Sequence, residues 1–175
     1  MAGLDLLPFR RRLARRLGAD LVLDGKQRDV VHRVIEWSSG AGADCIFICT
    51  TGGDGIIEFA CQLARDRATL VVVGTPAMTF ARELFFAKEL RLTIARAYGP
   101  GRYDPVYEEQ GIDYPIGYVR WTQGRNRAEF LRLLARRQVR VGPLVTHVFD
   151  IGQAPAAYNL LQQHPEHTMG IILSY

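Results

Sequence analysis

Residues 1–20 read MAGLDLLPFRRRLARRLGAD. A short apolar run, Ala2-Gly3-Leu4, ends at Asp5, and Pro8 follows three residues later. Phe9, Leu13 and Leu17 then recur every four residues with arginines between them, and Gly18 closes the segment. Apolar residues at that spacing share one face of a helix, proline suits its first turn and glycine its end. The stretch therefore predicts a strand, a turn and an amphipathic helix. An acid at the C-terminal end of the strand is the first residue with chemistry to offer.

The same grammar continues along the chain. Leu21-Val22-Leu23 predicts a second strand, and Val30, Val31, Val34 and Ile35 form the stripe of a second helix that stops near Ser39-Gly40. Cys45-Ile46-Phe47-Ile48-Cys49 is almost wholly apolar, as in a strand covered on both faces. Ile56 to Ala64 reads as a helix, Leu70 to Val73 as a strand ending at Gly74, and Met78, Ala81 and Phe85 as a helix reaching Lys88. Leu90, Leu92 and Ile94 alternate with polar neighbours and predict another strand, ending near Tyr98. Alternating strands and helices predict an α/β fold, a parallel sheet with helices on both faces.

Residues 99–124 break the pattern. They are rich in Gly, Pro and Tyr and show no period, which marks a long loop. A helix follows at 125–137, then a strand near Leu144 to Phe149, a helix from Gln153 to Gln163 and a strand from Met169 to Leu173. The expected organisation is a partial dinucleotide-binding domain at 1–98, the Gly/Pro/Tyr-rich loop at 99–124, and a strand-helix-strand return at 125–175.

Composition narrows the function. Of 175 residues, 48% are hydrophobic and 23% charged, which suits a chain that can bury a core. The net charge is +4, with arginines clustered at 10–16 and again at 132–140. No nucleic-acid motif accompanies them, so the solvated faces of two helices are preferred to a nucleic-acid footprint. No apolar run approaches the ~20 residues of a membrane span. Three cysteines without framework spacing predict a reducing, cytoplasmic setting.

Asp5 has two readings. In a doubly wound nucleotide fold, an acid at the end of the second strand accepts hydrogen bonds from the adenosine ribose, and its charge repels a 2′-phosphate, favouring NAD over NADP. It is equally a turn aspartate ahead of Pro8. Neither Gly40-Ala41-Gly42 nor Gly52-Gly53-Asp54-Gly55 has the spacing of a phosphate loop. Cys45 and Cys49, on one straight strand, would stand ~13 Å apart, too far to share a zinc ion. They read as small buried residues, as does Cys61. His164 and His167 read as a solvent turn, with a weaker metal alternative, His147 as a hydrogen-bonded structural residue and His32 as a helix-surface one. No nucleophile elbow or cysteine–histidine pair is evident.

GLDLLPFRRRLARRLGAD, GAGADCIFICTTG, ATLVVVGTP, HVFDIGQAPAAYNLL and MGIILSY together resemble successive pieces of the zinc-type medium-chain alcohol dehydrogenase superfamily, over nearly the whole chain. ARAYGPGRYDPVYEEQGIDYPIGYVRWTQGRN is similar to a bacterial bi-domain oxidoreductase subgroup linked to polysaccharide biosynthesis. The resemblance implies an incomplete Rossmann-like sheet and cofactor contacts by Asp5, Arg10, Thr50, Thr51, Val73, Gly74, Thr75, Ala97 and Tyr98. It implies NAD, with NADP less favoured. Zinc is expected of the family, but no residue here matches a zinc ligand or a catalytic position. The catalytic domain and the glycine-loop strand of the family have no counterpart in this sequence, so a truncated start is expected. With that central strand absent, the strand ending at Asp5 is expected to slide across and pair with Cys45 to Cys49. The function so implied is a fragment of an oxidoreductase of the alcohol, polyol or sugar dehydrogenase type, supplying part of the cofactor site. The alternative is a non-catalytic assembly module, whose tyrosine-rich loop meets a protein partner or a second copy.

Overall fold

The computed structural model describes all residues, Met1 to Tyr175. The chain forms two compact units, Met1–Val30 with Arg132–Tyr175, and Val31–Leu131. Every strand pairing in both is parallel.

In the first unit, β1 (Ala2–Asp5) pairs with β2 (Leu21–Asp24), with Asp5 opposite Asp24 at their C-terminal ends. The connecting helix α1 (Pro8–Arg16) has proline in its first turn and Arg15 and Arg16 in its last, where cations favour the helix dipole. Its buried residue, Leu13, shares the unit with Val22 and Leu23, 6% and 1% exposed. Helix α2 (Val30–Trp37) follows β2; all of it after Val30 belongs to the second unit, and Val30 and Val34 are buried.

The second unit is built on β3 (Ala43–Ile48), β4 (Ala64–Val72) and β5 (Arg91–Ile94), hydrogen-bonded in that order. Helices α3 (Ile56–Leu63) and α4 (Arg82–Lys88) make the crossovers. The core is Ile48, Ile57, Ala60, Cys61, Leu70 and Val72, with Leu84, Phe85 and Leu92 packed against it. Lys88 Nζ donates to the carbonyls of Cys61 and Ala64 at 2.9 and 2.7 Å, satisfying acceptors where α3 ends. Beyond β5, the loop holds one short helix, α5 (Pro105–Glu108), capped by the Asp104 carboxylate.

Helix α6 (Gln123–Ala135) leads back into the first unit. There β6 (Val145–Asp150) pairs with β7 (Gly170–Ser174), joined by α7 (Ala154–Gln163). The architecture is the expected α/β one, with Rossmann-like pieces of parallel sheet.

Four expectations are corrected. The strand ending at Asp5 does not pair with Cys45 to Cys49; β1 pairs with β2 alone, and β3 with β4. The expectation assumed that free strand edges would be buried. All of β1 is half-buried, and Asp44, Cys45 and Phe47 on β3 are exposed, so water can satisfy the edge groups. Cys45 and Cys49 are exposed rather than buried, and only Cys61 is enclosed. Phe47 shares their side of the strand and is 66% exposed, so that side is not covered as its all-apolar sequence predicted. Finally, α4 begins at Arg82, not Met78, because Ala81 keeps an extended backbone.

Candidate functional site

Strands that run parallel deliver all their C-terminal ends to one rim, and crossover loops leave from there. The sequence-derived residues fall on two such rims, one in each unit.

In the first unit the turn after β1 is held by its own acid. Asp5 Oδ1 accepts from the Leu7 N–H at 2.8 Å. Its other oxygen stands 3.9 Å from the Arg10 guanidinium. Arg10 is thus brought beside Asp5, while its Nε is buried without a partner. Arg11, which sequence reasoning passed over, is the organiser of this rim. Its guanidinium donates to the carbonyls of Asp5 and Leu6 at 2.9 and 2.8 Å and pairs with Asp24 at 3.0 Å. The arrangement fixes the Asp5 backbone by a cation and leaves one carboxylate oxygen able to accept hydrogen bonds.

In the second unit the rim is made by the ends of β3, β4 and β5. The N–H groups of Val73 and Gly74 both donate to the Ile48 carbonyl at 2.9 Å, and Ala95 N–H donates to the Val72 carbonyl at 2.8 Å. These bonds bring the end of β4 against the loop after β3. The approach is so close that a Cβ built on Gly74 would stand 2.1 Å from the Thr50 carbonyl oxygen. Only glycine fits there. Thr50 Oγ1 accepts from the Gly52 N–H at 3.0 Å and so shapes its own turn. Thr50, Thr51, Val73, Ala97 and Tyr98 are exposed and Thr75 is also on the loop leaving β4. Thr50 and Gly74 are in contact; Ala97 and Tyr98 follow β5 on the same rim.

Metal ligation finds no support in the residues present. No group of three or more His, Cys, Asp or Glu side chains could hold an ion. His164 Nδ1 has Glu166 at 3.2 Å, an exposed pair in a turn. His147 Nδ1 lies 3.0 Å from Thr146 Oγ1 on β6. His32 is exposed on α2 with Glu36 at 4.0 Å. A zinc ion of the kind expected from sequence therefore has no fitting donor set in this chain. No helix is long and apolar enough to cross a membrane.

Residues 1–109 match the family model described as zinc-binding dehydrogenase. A sorbitol dehydrogenase of Halalkalibacterium halodurans is 24% identical over 165 residues, covering 93% of this chain and 41% of that protein. An L-threonine 3-dehydrogenase of Symbiobacterium thermophilum is 26% identical over 159 residues, 91% of this chain and 40% of its own length. Among solved structures, an alcohol dehydrogenase of Escherichia coli in complex with NADH superposes with a TM-score of 0.73 at 18% identity, over 99% of this chain and 44% of that one. The chain thus spans about two-fifths of the length of the relatives it matches.

Proposed function

This chain belongs to the zinc-binding dehydrogenase family, and from that premise we propose that it supplies part of the dinucleotide site of an NAD-dependent oxidoreductase of the alcohol, polyol or sugar type. The observation that carries the reading is Asp5. It ends a parallel strand with one carboxylate oxygen held by the Leu7 N–H, while the other, 3.9 Å from Arg10, would accept from a ribose hydroxyl. A charged acceptor at that place favours a free 2′-hydroxyl over a 2′-phosphate, hence NAD over NADP. Arg10 would flank the adenine. Thr50 and Thr51 would line the adenosine side, and Val73, Gly74, Thr75, Ala97 and Tyr98 the nicotinamide side. The bound nicotinamide would supply the hydride chemistry. These residues would bind and orient it, and none of them is assigned an acid, base or metal-ligand role. Three free cysteines, two of them exposed, support a reducing, cytoplasmic setting.

The experiment is a fluorescence titration with NADH and NADPH. Saturable NADH binding, tighter than NADPH, is expected. Equal affinities would remove Asp5 from the ribose, and no binding at millimolar cofactor would transfer support to a second reading, a non-catalytic assembly module. That reading has its own observation. Tyr118, Ile116 and Ile112 in the 99–124 loop are 90%, 58% and 57% exposed, the kind of apolar surface that interfaces use.

A further inference from the structure

The loop after β5 carries an arrangement of which the dinucleotide reading uses only Tyr98. Five side chains alternate in a stack. Arg127 lies over the Tyr98 ring at 5.5 Å, and Arg102 lies over the same ring at 5.4 Å. Arg102 also lies over Tyr103 at 4.6 Å, and Arg96 over Tyr103 at 4.7 Å. The order is Arg127, Tyr98, Arg102, Tyr103, Arg96.

Two features separate this stack from an ordinary charged surface. First, its cations are under-neutralised. Arg102 pairs with Glu108 at 2.6 Å, but Arg96 and Arg127 meet only ring faces. Arg102 Nε is buried with no acceptor. The other acid at hand, Asp104, is already occupied by the Val106 N–H and the Tyr114 hydroxyl. Second, both tyrosines are held in the left-handed backbone region, at φ 69° and 67°. A bulky residue there is strained, and such strain gathers where the surroundings hold a site in shape. The surroundings here are explicit. Asn126 Nδ2 donates to the Tyr98 carbonyl at 3.2 Å, and the Gln123 N–H donates to the Pro100 carbonyl at 2.8 Å. Gly101, at φ 105°, lies so close to the Tyr107 ring that a Cβ would stand 2.8 Å from it.

Beside the stack is an open recess of ≈ 590 Å³, lined by Arg96, Pro100, Arg102, Tyr103, Asp104 and Tyr114. That volume exceeds a bare oxyanion and falls in the range of small-molecule sites. Arg96, held against a ring face, keeps its N–H fork for a ligand, and such a fork matches phosphate oxygens two at a time, whereas Arg102 shares its charge with Glu108. Tyrosine faces offer stacking to whatever the phosphate is attached to.

We propose that this recess is an anion site, with Arg96 taking a phosphate group of a phosphorylated small molecule and Arg102 standing beside it. It is separate from the dinucleotide contacts proposed above except at Tyr98, whose ring stands in the stack.

The test is calorimetric titration of the full chain with inorganic pyrophosphate at low ionic strength. Saturable one-to-one binding is expected, weakened at least ten-fold in Arg96→Gln and less in Arg96→Lys, which keeps the charge but loses the fork. Tyr103→Leu, which removes the ring between Arg96 and Arg102, is expected to weaken it as well. Arg91→Gln, at the other end of β5, is expected to bind as the unaltered chain does, and circular dichroism checks that each variant folds. No binding by the unaltered chain, or equal losses in Arg91→Gln and Arg96→Gln, would overturn the proposal. So would an Arg96→Gln variant that loses NADH together with pyrophosphate, which would give the recess to the dinucleotide. Salt-steep binding of a single-stranded oligonucleotide without pyrophosphate binding would overturn it in favour of nucleic acid.

Discussion

Replacing Gly74 by alanine perturbs the rim of β3–β4–β5 at its tightest point. The added Cβ would stand 2.1 Å from the Thr50 carbonyl oxygen, 2.8 Å from its carbon and 2.9 Å from its nitrogen. All three are backbone atoms, so no rotamer change relieves the clash. The Gly74 φ is not positive, so the cost is steric rather than conformational. Overpacking of this kind costs about 1–3 kcal/mol. Pushing the loop away also strains the hydrogen bonds from Val73 and Gly74 to Ile48, both 2.9 Å, each worth about 1 kcal/mol. The expected loss is roughly 2–4 kcal/mol, a large share of the ~5–15 kcal/mol that holds a typical domain together. Urea unfolding followed by circular dichroism measures it. Gly53→Ala is the control, because nothing lies within 4 Å of a Cβ there. Its stability is expected within ~1 kcal/mol of the unaltered chain. If Gly74→Ala unfolds at the same urea concentration as Gly53→Ala, the close packing of the two loops is refuted.

Asp5→Asn removes a charged acceptor and is expected to raise the NADH dissociation constant ~10–100-fold, the range for a charged hydrogen bond of ~1.5–3 kcal/mol, while narrowing the preference over NADPH; paired fluorescence titrations read both. Leu70 is fully buried and Phe47 is 66% exposed. Leu70→Ala is therefore expected to cost ~2–5 kcal/mol and Phe47→Ala under ~1 kcal/mol, by the same urea assay. Ellman's reagent is expected to titrate two thiols in the folded chain and the third only after unfolding. Cys45 and Cys49 are open to solvent, whereas burial encloses Cys61 and pushes its thiol pKa up. The Tyr114 hydroxyl, donating to Asp104, holds that carboxyl below its usual range. A depressed acid contributes stability above its unfolded pKa of ~3.9 and loses it as pH falls through the folded value. Tyr114→Phe is expected to move the Asp104 titration, followed by carbon NMR, back up toward ordinary aspartate.

Elements with a clean period were legible in the sequence. Leu13 between arginines announced α1, and Pro8 and Gly18 its ends, because local chemistry alone sets those features. The first half of β4 was not legible: the expected strand began only at Leu70, whereas β4 starts at Ala64. Arg65, Asp66 and Arg67 fall where the pairing with β3 is interrupted, with Arg67 at φ 60°, and Arg65 and Arg67 meet partners distant in sequence, Asp44 at 2.5 Å and Glu89 at 2.7 Å. Sheet pairing was misjudged for a similar reason. Strand order follows from which edges water can reach, and that is a property of the folded chain. At the site, Asp5 and Gly74 could be read from their places at strand ends. Arg11 and the arginine–tyrosine stack could not, because each is defined by side chains meeting across a turn. Tyr98 and Tyr103 in particular gave no warning of a left-handed backbone that sequence statistics reserve for glycine and asparagine.

The most direct test is an amide NMR titration of the isotope-labelled chain with NAD. Saturating shifts at Asp5, Thr50, Thr51, Gly74 and Thr75, with little change on β7, are the expected result. A spectrum that does not respond, or responds only away from both strand rims, would contradict a dinucleotide site built on the C-terminal ends of these parallel strands.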